Sequence, residues 1–328
     1  MVNPGIFRAF LNSMVMVDNP NHARLRNLVH KVFTPKMIQQ LSTRIDEISD
    51  DLLDQMAKKT TVDLIADFAL PLPLTIISDM MGVPPGDRSL RKMISRLLDA
   101  SSGLGMLQQF PNAFAMHRFF KKLIALRRHQ PQDDLISALV QVEEQGDSLS
   151  EDELIAMLLL LLLAGHETIV NLIGNGTLAL LEHPDQFEKL KVKPDLIESA
   201  IEEILRFTNP VQQIAPRYTI EDVELGGHFI AKGTTVIVGI ASANRDETAF
   251  PNADQFDIAR TPNQHIAFGQ GIHYCLGAPL ARLEGKIAFN ALLARFSNLE
   301  LAASPQTLEW RGGPSLRGLK RLPIRLKA

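Results

Sequence analysis

The 328-residue sequence predicts a mainly α fold, a large helical domain carrying a small β lobe. Three observations point there. Apolar residues recur three and four apart over residues 22–183, with strong helix formers between them. A stretch of strand-type residues at 217–240 is punctuated by turn-forming glycines. No repeat, low-complexity tract or linker separates two cores, although the length alone would allow roughly two domains of about 150 residues. The expectation is one domain over 1–328: helical over 13–208 and 277–297, a β lobe over about 209–240 and 298–328, and a cysteine-bearing loop over 244–277.

Ile38, Leu41, Ile45, Ile48 and Leu52 mark the apolar face of the early helices. Gly82, Pro84, Pro85 and Gly86 predict a helix break and residues 130–134 another, with surface-crossing helices between. Ser150 followed by Glu153 is a capping-box signature, and the next proline is Pro184. One helix is therefore expected over 151–183, roughly 50 Å long at 1.5 Å per residue. It is apolar nearly all round, which predicts a central position. A helix over 195–207 stops before Asn209 and Pro210, and short strands follow with turns at Gly226, Gly227 and Gly233. Residues 244–272 form a long stretch rich in Asn, Asp, Pro and Gly, the kind of loop that carries function inside a compact domain. A last helix over 278–296 and a short β tail complete the order.

Composition narrows the function. Apolar residues make up 45% and charged residues 22%, a globular profile. With 34 basic and 37 acidic side chains the net charge is −3, so no nucleic-acid partner is expected. Met1 to Phe10 lack the basic-then-apolar pattern of a secretory leader. The longest apolar run, about a dozen residues from 154, is short of the ~20 that a membrane span needs. A cytoplasmic location with no membrane partner is expected. The lone cysteine, Cys275, excludes an internal disulfide and a multi-thiolate zinc site.

Cys275 sits in Phe268-Gly269-Gln270-Gly271-Ile272-His273-Tyr274-Cys275-Leu276-Gly277, just before a helix with Pro279 in its first turn. A sulfur at a helix N-terminus meets free N–H groups and the positive dipole end, which favour the thiolate. The glycines let the backbone pass close under a flat ligand, and Phe268 can shield the sulfur. A planar metal cofactor suits this loop better than a peptide substrate does.

The motif Phe268-Gly-x-Gly-x-His273-x-Cys275-x-Gly277 resembles the haem-binding loop of the cytochrome P450 superfamily. The resemblance implies haem b as cofactor, Cys275 as its axial metal ligand, His273 on a propionate, and Phe268, Gly269 and Gly277 shaping the cofactor bed. The run from Asp18 through His22 and Arg26 to Pro35 is similar to the family's second propionate-binding helix, and Arg217 matches its other propionate arginine. His265 is a weaker propionate candidate. Ala164-Gly165-His166-Glu167-Thr168, inside the long apolar helix, resembles the family's oxygen-binding stretch: Ala164 and Gly165 give room, while Thr168 and Glu167 relay protons. Glu203 and Arg206 lie three apart on one helix face. With Arg260 they are read as a buried structural triad of the same family.

The resemblance starts near Ser13, so the fold is expected to be N-terminally shortened, with an exposed β edge, an open cofactor cavity and self-association through that edge. The function it implies is a monooxygenase that inserts one oxygen atom of O2 into a small apolar or amphipathic organic molecule. Electrons would come from a ferredoxin or flavodoxin with its NAD(P)H-dependent reductase, because the chain shows no Gly-rich dinucleotide fingerprint or iron–sulfur cysteine set. Arg24, Lys31 and Arg282 are expected to form a basic docking patch for that carrier. Leu161, Ala164, Val211, Ile214 and Leu316 are candidates for the substrate pocket. Alternatives are an H2O2-driven peroxygenase and a catalytically impaired haem-binding or sensor module.

Overall fold

A computed structural model describes residues 13–84, 89–90, 93–94, 103–144, 146–296, 298–311, 313 and 315–327. The Met1–Phe10 reading and the Pro85 and Gly86 part of the expected helix break lie outside them. Helices α1 (Asn21–Val32), α2 (Pro35–Gln40) and α3 (Ser42–Met56) come first, then β1 (Thr61–Asp63), a π-helical turn and α4 (Pro71–Met80). Next are α5 (Gly103–His129), α6 (Leu135–Gln141), the hairpin β2 (Glu143–Glu144) and β3 (Asp147–Ser148), and the central α7 (Glu151–Glu182). Helices α8 (Pro184–Val192) and α9 (Ile197–Thr208) lead to β4 (Arg217–Tyr218), β5 (Val223–Leu225), β6 (His228–Ile230) and β7 (Thr235–Val236). The chain ends with α10 (Ile240–Ala243), α11 (Ala278–Arg295), β8 (Asn298–Leu301) and β9 (Pro323–Lys327).

Helix α7 starts where the sequence places it. The Ser150 hydroxyl accepts from Glu153 N at 3.3 Å and the Glu153 carboxylate accepts from Ser150 N at 2.8 Å, a complete capping box. Its most apolar window has a mean hydropathy of 1.9, enough by length and composition to cross a membrane. Here the helix is a core element: Leu154, Ile155, Leu158, Leu162, Val170 and Ile173 are all buried, and α4, α9 and α11 pack around it. Gly174 and Gly176 allow those neighbours close, since a Cβ at either would run into Ile65 or into Ile204 and Phe289.

Strands β1, β9 and β8 form an antiparallel sheet with β9 in the middle, Val62 opposite Ile324 and Leu299 opposite Leu326. The tail therefore pairs with an early strand inside the stretch read as helical. The strands of 217–236 make separate two-stranded ladders, β4 with β7 and β5 with β6. Gly226 and Gly227 turn the latter with φ of 58° and 78°, left-handed values that glycine adopts without strain. Among the described residues, the two stretches expected to share one β lobe meet through the isolated bridge Val211–Leu316. The β4–β7 region leaves large apolar side chains in solvent, with Ile220 84% and Phe229 73% exposed.

Candidate haem-thiolate site

The cysteine loop closes on itself through Cys275 N donating to Phe268 O at 2.9 Å. Gly269 and Gly271 take φ of 71° and 73°, so both glycines of the motif are demanded by the backbone. Helix α11 begins at Ala278, and Ala281 N bonds back to Gly277 O. The sulfur lies against this helix start. The N–H groups of Gly277 and Ala278, with Arg26 and Arg282, pull its pKa down, yet burial outweighs them and pushes the thiol up. Burial and the helix start thus act on the sulfur in opposite directions.

Three separate segments bring cations to the same place. The rings of His22 and His273 stand 4.3 Å apart, centroid to centroid. Arg26 donates from Nη2 to the carbonyl of Tyr274 at 2.8 Å. His22 is 1% exposed, and its Nε2 has no hydrogen-bond partner among the described residues. His273 is held below the ordinary histidine range first by burial and then by the charges of His22, Arg217 and Arg26. Two guanidinium groups and two imidazoles that burial keeps from charging, converging on one half-buried spot, suit an anionic ligand. Arg282 stacks on Phe268, 4.6 Å from the ring centroid.

His265 is otherwise engaged. Its Nε2 meets Glu202 at 3.0 Å and its Nδ1 accepts from Ala267 N. The expected docking patch also changes. Arg24 is tied to Asp147 and Glu153, and Arg282 grips Glu202 with both Nε and Nη2, leaving Lys31 as its exposed member. Neutralised pairs present little net charge to a partner.

Glu203 and Arg206 are both 0% exposed and form a two-pronged pair, with Nε and Nη2 each 2.8 Å from a carboxylate oxygen. Arg206 spends its remaining donors on the carbonyls of Asn244, Ala253 and Gln255. Arg260 Nε lies 3.2 Å from Glu203, which also accepts from Asp257 N and Asn263 Nδ2. The triad locks the long loop that leads to the cysteine.

On α7, Thr168 donates its hydroxyl to Ala164 O at 2.8 Å, leaving the oxygen's lone pairs to accept. Glu167 is half-buried and its carboxyl is pushed up by burial, an effect that Arg311 opposes from 3.9 Å. His166 is buried with Nδ1 on Leu162 O. Leu161 lies on α7 one turn before Gly165, Val211 and Leu316 meet in their β bridge, and Ile214 N bonds to Val238 O. Sequence reasoning missed Arg311, Asn171 and Asn175. The available signal was a polar stripe at four-residue spacing on a helix otherwise read as apolar all round.

The family model of cytochrome P450 matches residues 6–192 and 193–318. The chain belongs to the cytochrome P450 family. It is 49% identical over 319 residues to the polyketide biosynthesis cytochrome P450 PksS of Bacillus subtilis (strain 168), covering 95% of this chain and 77% of that one. The solved structure of that P450 matches with a TM-score of 0.95 over 99% of this chain and 84% of the other, at 47% identity. A second solved P450, P450BioI in complex with an acyl carrier protein ligated to hexadec-9Z-enoic acid, matches with a TM-score of 0.91 at 38% identity, covering 98% of this chain and 83% of that one. The P450 family binds haem, and the enzyme is an oxidoreductase of the monooxygenase type.

Proposed function

We propose that this P450 is a haem-thiolate monooxygenase with Cys275 as the axial ligand, acting on an extended apolar molecule of acyl or polyketide type. The carrying observation is the convergence of His22, Arg26, Arg217 and His273 beside the buried sulfur. That donor set fits a group with two carboxylates and a soft metal centre: the orphaned Nε2 of His22 supplies a buried hydrogen-bonding atom, and two carboxylates would meet the Arg26 and Arg217 guanidinium groups and offset the burial and like charge that lower the pKa of both histidines.

When bound, haem supplies the redox-active iron that activates dioxygen. The protein orients and protects it. Gly277 and Ala278 direct N–H groups at the Cys275 sulfur and thereby temper its basicity. Phe268, capped by Arg282, keeps water from the sulfur side. On α7, the Thr168 hydroxyl donates to Ala164 O and so keeps its lone pairs free to accept, and the neighbouring Glu167 carboxyl, raised by burial, is the group that would pass on a proton. Two electrons come from outside, and a ferredoxin or flavodoxin with its reductase is the donor we propose, in the cytoplasm. What supports the substrate class is the acyl carrier protein-linked fatty acid of the P450BioI complex and the polyketide biosynthesis named for PksS, together with the apolar Leu161, Val211, Ile214 and Leu316.

The experiment is the reduced carbon monoxide spectrum of the haem-loaded protein. Thiolate ligation gives a strongly red-shifted Soret band, which Cys275→Ala should abolish; an unchanged band in that variant overturns the ligand assignment. Titration with hexadec-9-enoic acid should shift the ferric spectrum, and no shift with any acyl chain would remove that substrate class.

A further inference from the structure

Glu167, Asn171 and Asn175 stand at four-residue spacing on α7, one face of the helix. The C-terminal hairpin closed by the Trp310–Leu319 bridge runs along that face. Arg311 reaches Glu167 at 3.9 Å, a Cβ on Gly318 would overlap the Asn171 amide, and Arg317 O accepts from Asn175 Nδ2 at 2.8 Å. Asn171 and Asn175 are only 1% and 3% exposed. Even so, both polar atoms of Asn171, Asn175 Oδ1 and Arg311 Nη1 are buried with no hydrogen-bond partner among the described residues. Four orphaned atoms in one seam are far from the usual state of a protein interior, where buried polar groups are paired with protein or with ordered water.

The seam also has a mouth. Asn175 lines a cavity of about 270 Å³ together with Glu182, Trp310 and Arg317. Glu182 and Arg317 are exposed, so the cavity meets solvent. From there the stripe leads in two helical turns to Glu167, next to Thr168.

We propose that this seam is a water-filled proton conduit, running from the cavity past Asn175 and Asn171 to the Glu167 carboxyl. The proposal rests on the reading of Glu167 as the relay acid. Waters bound to the two amides carry the proton inward, and Glu167 takes it up to replace the one it has passed on. Each turnover needs two protons to reduce one atom of dioxygen to water with the two external electrons. Arg311 is a positioning residue: its guanidinium is at ion-pair range but beyond hydrogen-bond length, so it draws the carboxylate toward the seam and leaves its oxygens open to water. Gly318 is required by the same packing, because a Cβ there would overlap the Asn171 amide and displace it.

The test uses the haem-loaded protein and Asn171→Leu, which fills the seam with apolar volume, with Asn171→Ser as the conservative variant that stays polar. A high-resolution crystal structure should show ordered waters on Asn171 and Asn175 in the parent and their loss in Asn171→Leu. With substrate and donor, Asn171→Leu should form several-fold more hydrogen peroxide per electron pair and show a larger solvent deuterium isotope effect, while Asn171→Ser stays near the parent. A dry seam in the parent overturns the proposal. So does unchanged peroxide in Asn171→Leu when Glu167→Gln raises it. Raised peroxide in Asn171→Leu with none in Glu167→Gln keeps the conduit but removes Glu167 from the relay, so the two failures are told apart. Should Asn171→Leu not fold, Asn175→Leu carries the same measurements.

Discussion

Two polar clusters lie in the interior of this P450, and they are built on opposite rules. Around Glu203 and Arg206 the guanidinium donors and both carboxylate oxygens have partners, several of them backbone carbonyls of the loop before Cys275. Along Glu167, Asn171 and Asn175 the polar atoms are buried and mostly unpaired within the protein. The first arrangement fixes a loop in one conformation. The second leaves hydrogen-bonding capacity for something that enters and leaves. A satisfied cluster reads as architecture and an unsatisfied one as a passage that reaches from the interior toward the half-buried Glu167 and Arg311.

The contrast can be broken at its strongest point. Arg206→Ala strips one partner from a fully buried pair, which costs about 3–5 kcal/mol, a large part of the stability of a typical domain. Soluble, haem-replete protein should be lost, and a well-folded variant in a melting and pyridine-haemochrome assay would show the cluster to be dispensable.

Glu284 on α11 sharpens the comparison, being a third buried polar group. It is wholly buried, its Oε2 has no partner, and burial pushes its carboxyl up to about 8. A carboxyl with a raised folded-state pKa stabilises fully below its unfolded value of about 4.3, and that contribution is lost as pH rises toward about 8. The slope is at most about 1.4 kcal/mol per pH unit. Glu284→Gln removes it, so the melting-temperature difference between variant and parent should move in the variant's favour from pH 5 to pH 8. Parallel curves would mean that Glu284 is ionised and paired.

Smaller changes probe the seam and the capping of its helix. Gly318→Ala drives a Cβ into the Asn171 amide and should destabilise by about 1–3 kcal/mol, read by chemical denaturation. No loss of stability would show that the hairpin can lift away from α7. Ser150→Ala removes one half of the capping box and should cost about 1 kcal/mol without touching coupling or spectra. A spectral change in that variant would reveal an unexpected link between the helix start and the cofactor site.

Much of this was legible in the sequence because the relevant signals are local. The cysteine loop, Glu203 with Arg206, the Thr168 stretch and the Ser150 cap each occupy a few consecutive residues. The rest depends on long-range pairing. Arg311 acquires its role only when the tail folds onto α7, and β1 is recognisable as a strand only beside β9. Arg24 and Arg282 looked like free cations because Asp147, Glu153 and Glu202 are remote in sequence. Cys275 follows the same division: the helix start beside it is visible in the motif, while the burial that raises its thiol is a property of the whole fold.

The central strand of the β1–β9–β8 sheet is made long after its first neighbour, since β9 pairs with β1 across most of the sequence. Thr61 waits for Arg325, and at typical elongation rates of 5–20 residues per second that wait lasts on the order of 10–50 s on the ribosome. Throughout it β1 lacks the partner that β9 supplies, while the helices between the two are already able to collapse. Completion of the sheet therefore comes late, and a chain stalled short of Pro323 leaves both flanking strands without β9.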